Sequence, residues 1–143
     1  MIYVGYQGIG KSSISGKNNC IDLESGNFWI DNKRTDEWYK IYCNIAEHLS
    51  KQGYDVFMSS HKIIREELNK RNIKFITIFP SLNLKDEWIK RLENRYNLTK
   101  SNKDYKALMN AKEMYNENIK DLMQEKNIII INEIEYDLLK IIK

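Results

Sequence analysis

The sequence predicts an α/β protein built on a doubly wound sheet of five parallel strands, with helices on both faces. Three observations predict it. Short apolar runs alternate with segments of helical periodicity along all 143 residues, the pattern of repeated strand–helix–strand units. The first run leads directly into a glycine-rich turn, and the last, at 128–131, is continuously apolar like a strand covered on both faces. The predicted strands are residues 2–4, 20–23, 56–58, 75–79 and 128–131.

Length and composition place the chain among ordinary globular proteins. With 143 residues we expect one domain, residues 1–143, with a core of its own. Apolar residues make up 42% and charged residues 30%, and no apolar run approaches the roughly 20 residues that span a bilayer. The net charge of +3 is slight and the basic residues are scattered, so we expect no nucleic-acid or membrane partner. The sequence leaves the oligomeric state open.

The cysteines and the first residues bear on the compartment. Cys20 and Cys43 are too few for a disulfide framework or a metal cluster, and we expect them to be small core residues. The first predicted strand begins at residue 2, which leaves no room for a signal peptide. Together these features predict a cytoplasmic protein.

The strongest motif is G-x-x-x-x-G-K-S at residues 5–12, directly after the first predicted strand. Glycine at positions 5, 8 and 10 permits positive φ and lets the backbone approach an anion closely. Lys11 supplies an ammonium for the β- and γ-phosphates, and the Ser12 hydroxyl is the usual ligand for Mg²⁺ in such loops. The motif therefore predicts a site for ATP and Mg²⁺. The residues expected to contact the nucleotide here are Gly5, Gln7, Gly8, Ile9, Gly10, Lys11, Ser12 and Ser13.

Two acidic residues end the second predicted strand. Ligands gather at the carboxyl ends of parallel strands, so Asp22 and Glu24 are expected to face the phosphate site. They could hold Mg²⁺ through water, with Asp22 as the metal ligand, or accept a proton from a substrate hydroxyl. The alternative is that they only cap the following turn.

Candidate substrate contacts lie in two other segments. A polar run after the third predicted strand contains Ser60, Lys62 and Arg65. The segment before the helix predicted at 38–51 contains Trp29 and Arg34. These two could hold a flat or anionic acceptor, although an exposed aromatic loop has the same composition.

The end of the third predicted strand also narrows the class of protein. No acidic residue follows it, where many NTPases carry an acid that orients Mg²⁺. This pattern favours a kinase of small molecules over a motor or switch ATPase. His61 stands at this point, either as a surface or capping histidine or as a catalytic base.

The helix predicted at 38–51 has a clear apolar pattern. Thr35 is a candidate N-cap and Gly53 a stop signal. Its apolar residues recur at helical spacing, so we expect them to form one buried stripe. The stripe consists of Trp38, Ile41, Tyr42, Ile45 and Leu49.

Two further helices are predicted in the second half of the chain, at 84–96 and 105–125. The polar segment between them, 97–104, carries no signal of regular structure. We therefore expect residues 84–125 to form a small helical lid with a mobile tip.

Two arginines on the first of these helices are candidate phosphate ligands. Arg91 and Arg95 lie four residues apart, on one helix face. Two guanidiniums so placed repel each other unless an anion lies between them, which predicts a phosphate clamp. A solvated face balanced by Glu87 and Glu93 is the alternative. Asn132, after the last strand, is a further predicted nucleotide contact.

The order of these elements resembles the P-loop kinases of nucleoside monophosphates and small metabolites, a group that includes adenylate, shikimate and gluconate kinases. The segment from Arg91 to Arg95 is similar to the R-x-x-x-R that opens the adenylate kinase lid, where the first arginine packs on the adenine and the second contacts phosphates. Residues 59–62 with Arg65 look like the run after the third strand of gluconate kinases. The acids of residues 22–24 stand where shikimate-type kinases have an acid-x-acid pair.

The resemblance implies a phosphotransferase that moves the γ-phosphoryl of Mg·ATP to a small acceptor. Lys11 and Arg95 would neutralise charge on the phosphoryl group, and Asp22 or Glu24 would orient the acceptor or the metal. The aromatic and basic candidates favour a nucleoside or deoxynucleoside monophosphate as the acceptor. The alternatives are a gluconate- or shikimate-type metabolite kinase and a factor that binds or sequesters a nucleotide without turnover.

The chain departs from the family pattern in three respects. Its first predicted helix is short, and the Asp-Gly-Phe-Pro signature of adenylate kinase is missing after the third strand. The lid segment offers Lys100, Lys103 and Lys106 in place of further arginines. These departures leave the identity of the acceptor open.

Overall fold

The computed structural model describes residues 1–28 and 35–142, without the side chains of residues 27 and 28. In this part of the chain five strands form one sheet in the order β2-β3-β1-β4-β5. The strands are β1 (Ile2–Gly5), β2 (Cys20–Asp22), β3 (Asp55–Ser59), β4 (Phe75–Pro80) and β5 (Ile128–Ile131). Each neighbouring pair runs parallel, so the predicted α/β class and five-stranded parallel sheet are confirmed.

Helices flank the sheet on both faces. They are α1 (Lys11–Ile14), α2 (Trp38–Lys51), α3 (Lys62–Lys70), α4 (Lys85–Thr99), α5 (Asn102–Leu122) and α6 (Leu138–Ile141), with short 3₁₀ turns at Ser25–Phe28 and Leu82–Leu84. Helices α2 and α3 cover one face, and α4 and α5 cover the other. Because β1 is the central strand, the loop after it lies in the middle of the carboxyl edge, where such sheets bind ligands. No helix among the described residues has the length and apolar character needed to cross a membrane.

Alternation of side chains along β1 divides the core between the two faces. Ile2 and Val4 pack with α2 and α3, whereas Tyr3 points to the opposite face. There its ring stacks on Phe57 of β3, with 4.9 Å between ring centroids. On the same side Trp88 of α4 is fully buried. The central strand is therefore covered on both sides, as a doubly wound sheet requires.

Helix α2 has the predicted bounds, and three of the five predicted stripe residues, Trp38, Tyr42 and Leu49, belong to the core or pack against it. Tyr42, Cys43 and Ala46 are buried. Ile41 and Ile45, two members of the expected stripe, are 52% and 38% exposed. The small side chains of Cys43 and Ala46 face the sheet, so the helix is rotated relative to the orientation that its largest apolar residues suggested.

Helices α4 and α5 form a hairpin, and the segment 97–104, which was expected to lack regular structure, is mostly helical. Helix α4 continues to Thr99 and ends with Lys100 in the left-handed region, at φ 51°. The Ser101 side chain then accepts a hydrogen bond from the backbone N–H of Asp104 and caps α5. S-x-x-D is a capping-box pattern, and this signal could have placed the start of α5 from sequence.

Most of the segment predicted as a lid belongs to the core. Trp88 and Leu92 of α4 are buried against the sheet together with Leu108, Tyr115 and Ile119 of α5. The hairpin turn and the first turns of α5 lie instead at the carboxyl edge, where they line the cleft described below. Any closing motion would therefore be confined to the turn of the hairpin.

Strand β5 lies at the edge of the sheet, and its four isoleucines are covered less completely than predicted for a strand buried on both faces. Among the described residues β5 pairs with β4 alone. Ile128 is 37% exposed, whereas Ile131 is 3% exposed. The apolar run indicated a strand correctly, but the position of that strand in the sheet depends on topology.

Trp88→Ala should destabilise the protein by about 3–5 kcal/mol, because it removes a fully buried indole and leaves a cavity. Urea unfolding followed by circular dichroism measures the change. Leu98→Ala is the control on the same helix, since Leu98 is 87% exposed and its loss should cost less than about 0.5 kcal/mol. Equal unfolding midpoints for the two variants would show that α4 is not part of the core.

Candidate functional site

A cleft of about 940 Å³ lies between the carboxyl edge of the sheet and the α4–α5 hairpin. Its floor is the loop after β1, and its walls come from the end of β2, the start of α3 and α5. This volume is near the upper end of the range of ligand pockets, roughly 300–1,000 Å³. The cleft therefore has room for a nucleotide together with a small second ligand.

The loop after β1 closes tightly, and glycine is required at several positions. Gly8 and Gly10 have φ of 87° and 103°, a region that side chains rarely adopt. A Cβ on Gly5 would lie 2.3 Å from Ile9 Cδ1, so a side chain at residue 5 would force the buried Ile9 side chain to move. Ile9 itself is 1% exposed and anchors the loop to the core.

Three hydrogen bonds hold successive loop carbonyls toward α4 and the C-terminal segment. They are Trp88 Nε1 to Gln7 O (2.9 Å), Arg91 Nη1 to Gly8 O (3.3 Å) and the Tyr136 hydroxyl to Ile9 O (2.7 Å). Because N–H and C=O point in opposite directions across a flat trans peptide, carbonyls held on one side turn the adjoining N–H groups to the other. The peptides concerned carry the N–H groups of Gly8, Ile9 and Gly10. That of Ile9 donates to the carbonyl of Tyr6 at 3.3 Å, whereas those of Gly8, Gly10, Lys11 and Ser12 have no acceptor within the described part of the chain.

Lys11 lies at the floor of the cleft. Its Nζ donates to the carbonyl of Gly5 at 2.9 Å. Burial lowers the pKa of Lys11 from its usual 10.5 to about 8, against the attraction of Asp22 and Glu24. The ammonium is therefore poorly solvated and held by one neutral carbonyl, and an anion in the cleft would be a better partner.

Asp22 and Glu24 line the cleft beside Lys11. Burial raises the pKa of Asp22 from its usual 3.8 to about 6, and the attraction of Lys11 only partly offsets it. Burial acts in the same direction on Glu24, but the hydrogen bond and ion pair with Lys103, at 2.6 Å, outweigh it and hold the pKa of Glu24 below its usual range. Glu24 is therefore paired directly with Lys103, whereas Asp22 has only the longer-range attraction of Lys11.

One tyrosine fixes the strand end that carries these acids. The Tyr42 hydroxyl donates to the carbonyl of Leu23, between the two acids. The same hydroxyl accepts from the backbone N–H of Ser59 at the end of β3, at 3.0 Å. Tyr42, a buried residue of α2, thus connects the end of β2 to the end of β3 and fixes the backbone between Asp22 and Glu24.

Arg95 lines the cleft, and Arg91 does not. The Nε of Arg95 pairs with Asp104 at 3.1 Å, which holds the guanidinium at the turn of the hairpin. Arg91 instead lies over the rings of Trp88 and Tyr136, 4.5 and 5.2 Å from their centroids, and it donates to the carbonyl of Ile134. The predicted clamp of two arginines is therefore not formed, because Arg91 joins α4 to the C-terminal segment.

The predicted substrate residues divide into three groups. Ser60 and Lys62 line the cleft at the start of α3. Arg65 also reaches it, but its side chain is 6% exposed and pairs with two acids. Trp29 and Arg34 lie outside the described residues. His61 lines the cleft and packs edge-on against Trp38 of α2, with 6.2 Å between ring centroids.

Besides Arg91, three predicted nucleotide contacts do not line the cleft. Ile9 is buried beneath the loop. The Ser13 hydroxyl donates to the carbonyl of Gly10 at 2.7 Å, and Ser13 thus closes the loop from outside. Asn132 is exposed beyond β5.

The amides on the α5 wall were missed from sequence. Asn110 and Asn118 line the cleft, and the Nδ2 of Asn118 donates to the Oδ1 of Asn110 at 2.8 Å. They are eight residues apart, close to two helical turns, so they share a face of α5. The spacing was visible in the sequence, but only the fold shows that this face borders the cleft.

Asp22→Asn should stabilise the free protein by about 1 kcal/mol at pH 7.5, a value reduced for the partial exposure of the carboxyl. Because the pKa of Asp22 is higher in the folded protein than in the unfolded chain, the ionised carboxylate opposes folding above pH 6. Protonation removes this cost as the pH falls from about 6 toward 3.8. Thermal melts of both proteins at pH 4 and 7.5 measure the difference.

Glu66→Gln is the matched control for this substitution, since Glu66 is exposed on α3. It removes the same charge and should change the melting temperature little at either pH. A gain for Asp22→Asn that is equal at pH 4 and 7.5 would contradict the assignment of the effect to Asp22 ionisation.

Comparison with known proteins assigns no family to the chain. No protein-family model matches the sequence, and no curated protein matches it. The case for a function therefore depends on the cleft itself.

Proposed function

We propose that the protein is a phosphotransferase that binds Mg·ATP on the loop at 5–12 and transfers the γ-phosphoryl group to a small acceptor in the same cleft. The observation that carries the proposal is the set of unpaired backbone donors. The N–H groups of Gly8, Gly10, Lys11 and Ser12 lack acceptors within the described part of the chain, and all four residues line the cleft. Backbone N–H donors grouped beside an ammonium are suited to a polyphosphate.

The residues present also fit Mg²⁺ as part of the nucleotide complex. The Ser12 hydroxyl and the Asp22 carboxylate are hard oxygen ligands on adjoining walls of the cleft. Within residues 1–28 and 35–142 no three His, Cys, Asp or Glu side chains are placed to hold a metal by themselves. Magnesium would therefore be held largely by phosphate oxygens and water, and it would neutralise charge on the phosphates.

Phosphoryl transfer depends mainly on positioning and charge compensation, and the cleft offers groups for both. Lys11 can exchange the carbonyl of Gly5 for the β- and γ-phosphates. Arg95, held by Asp104, is the candidate for the γ-phosphoryl group when the hairpin turn closes. Asp22 or Glu24 can receive the proton of an acceptor hydroxyl. These roles support kinship with the P-loop kinases.

A second function, nucleotide binding without turnover, is favoured by one observation. Strand β3 ends at Ser59 and is followed by Ser60, so no acid is available there to orient Mg²⁺. A factor that senses or sequesters a nucleotide would need the loop alone. Release of ADP in the presence of an acceptor distinguishes the two functions, since only the phosphotransferase produces it.

Lys11→Met should weaken ATP binding by about tenfold or more, because it removes a charge-assisted bond to the phosphates. Isothermal titration calorimetry with Mg·ATP measures the affinity. Lys17→Met is the matched control, since Lys17 is exposed just beyond α1 and should bind as the wild type does. Wild-type protein that gives no heat with ATP or GTP would refute the proposed nucleotide site.

Arg95→Ala should reduce turnover far more than it weakens ATP binding, by about tenfold or more in kcat, because the guanidinium acts only when the hairpin turn closes. Steady-state kinetics and calorimetry measure the two quantities on the same preparation. Lys90→Ala is the control, an exposed cation five residues before Arg95 on α4 that does not line the cleft. Equal losses in binding and turnover would contradict a closing role for the hairpin turn.

A further inference from the structure

Two hydrogen bonds fix the direction in which the Tyr136 hydroxyl points. Arg91 Nη1 donates to the hydroxyl oxygen at 2.9 Å. Because a guanidinium can only donate, the hydroxyl accepts from Arg91 and must give its own hydrogen to another group. The carbonyl oxygen of Ile9 lies 2.7 Å away and receives it. Arg91 therefore determines where the hydrogen of Tyr136 goes.

Arg91 is itself held by several contacts outside the cleft. Its guanidinium lies over the rings of Trp88 and Tyr136, whose planes are nearly parallel, at 8° to each other. It also donates to the carbonyl of Gly8, at 3.3 Å, and to that of Ile134. Trp88, Arg91 and Tyr136 do not line the cleft. These three side chains therefore contact the loop from the side that faces away from the cleft.

The carbonyl that Tyr136 holds belongs to the same peptide as the N–H of Gly10. The peptide is flat, so its C=O and N–H groups point in opposite directions. Ile9 is 1% exposed and lies beneath the loop, whereas Gly10 lines the cleft. The N–H of Gly10 has no acceptor within the described part of the chain. Tyr136 thus holds the buried end of a peptide whose other end is a donor at the cleft.

Without this bond, Gly10 would leave the peptide free to turn. Glycine adopts positive and negative φ about equally well, and Gly10 has φ of 103°. A turned peptide would present its carbonyl to the cleft, where it would repel a phosphate. Burial raises the pKa of Tyr136 above its usual 10.0, against the opposing charge of Arg91, so the hydroxyl keeps its hydrogen near neutral pH.

We propose that Tyr136 and Arg91 are positioning residues for the nucleotide: Arg91 orients the Tyr136 hydroxyl, and the hydroxyl directs the N–H of Gly10 into the cleft. The inference rests on the proposed nucleotide site and names two residues that shape it without contacting the ligand. It gives Arg91 a role in phosphate binding that acts through the loop.

Tyr136→Phe tests the hydroxyl, because it removes one oxygen and keeps the ring. We expect the affinity for Mg·ATP to fall about three- to tenfold, measured by isothermal titration calorimetry. Tyr115→Phe is the matched control, since the buried Tyr115 hydroxyl also donates to a backbone carbonyl, that of Ser81, at 2.8 Å. Both variants should lower the melting temperature by a similar amount, about 3–6 °C, but Tyr115→Phe should bind Mg·ATP as the wild type does.

The amide ¹⁵N resonance of Gly10 provides a readout that a purely structural role of Tyr136 would not change. A hydrogen bond to a peptide carbonyl polarises the amide nitrogen of the same peptide. In the free protein we expect this resonance to shift in Tyr136→Phe and to stay in place in Tyr115→Phe. Gly53, which lies beyond α2, is the internal reference. A Gly10 resonance that is the same in both variants would overturn the inference.

Arg91→Met tests the second residue with a side chain that can still pack on the rings of Trp88 and Tyr136. We expect a loss of Mg·ATP affinity of about three- to tenfold, because the Tyr136 hydroxyl and the carbonyl of Gly8 lose their donor. Lys90→Met is the matched control, since Lys90 is the neighbouring residue on α4 and is exposed. It removes the same charge and should leave the affinity unchanged. Equal affinities for Arg91→Met and Lys90→Met would overturn the role of Arg91.

The wild-type titration separates failure of this inference from failure of the proposed function. If the wild type binds Mg·ATP and Tyr136→Phe binds it equally well, the inference is overturned and the nucleotide site stands. Equal losses of affinity in Tyr136→Phe and Tyr115→Phe would show that affinity follows stability, which also overturns the inference alone. A wild type that does not bind Mg·ATP overturns the proposed nucleotide site and the inference with it.

Discussion

The geometry of the site depends on one constraint, the direction of three peptide carbonyls in the loop after β1. A flat peptide cannot turn its carbonyl without turning its N–H the opposite way. Trp88, Arg91 and Tyr136 hold these carbonyls from outside the cleft. Their donors come from α4 and the C-terminal segment, far from the loop in sequence. The phosphate-binding character proposed for residues 5–12 therefore depends on tertiary packing as well as on glycine.

This dependence explains why α4 and α5 are packed into the core. If the whole segment moved as a lid, the donors on α4 would move with it and the loop would lose the partners that orient it. Trp88 is buried at the point where it reaches the loop, while Arg95, two helical turns further on, stands at the cleft. One helix thus shapes the loop from its first half and places Arg95 at the cleft from its second half.

The parts of this arrangement that are local in sequence were predictable. The glycine loop, the strands and the acids after β2 all follow from residues within a few positions of one another. The face of α2, the edge position of β5 and the partners of Arg91 were not, because each depends on strand order or on residues far along the chain, such as Ile134. Helical spacing correctly placed Arg91 and Arg95 one turn apart. It does not reveal that the rings of Trp88 and Tyr136 hold the Arg91 guanidinium outside the cleft.

The charges on the floor of the cleft connect stability to function. Burial disfavours the charged form of Lys11 and also that of Asp22, so the pKa values of both groups move toward neutrality although the two attract each other. Their attraction is therefore weaker than the combined loss of hydration, and the free protein keeps a destabilising site. A triphosphate would supply the missing counter-charge for Lys11, and a magnesium ion would supply it for Asp22. Ligand binding would then stabilise the fold, which is the behaviour expected where charged groups are retained for binding and not for stability.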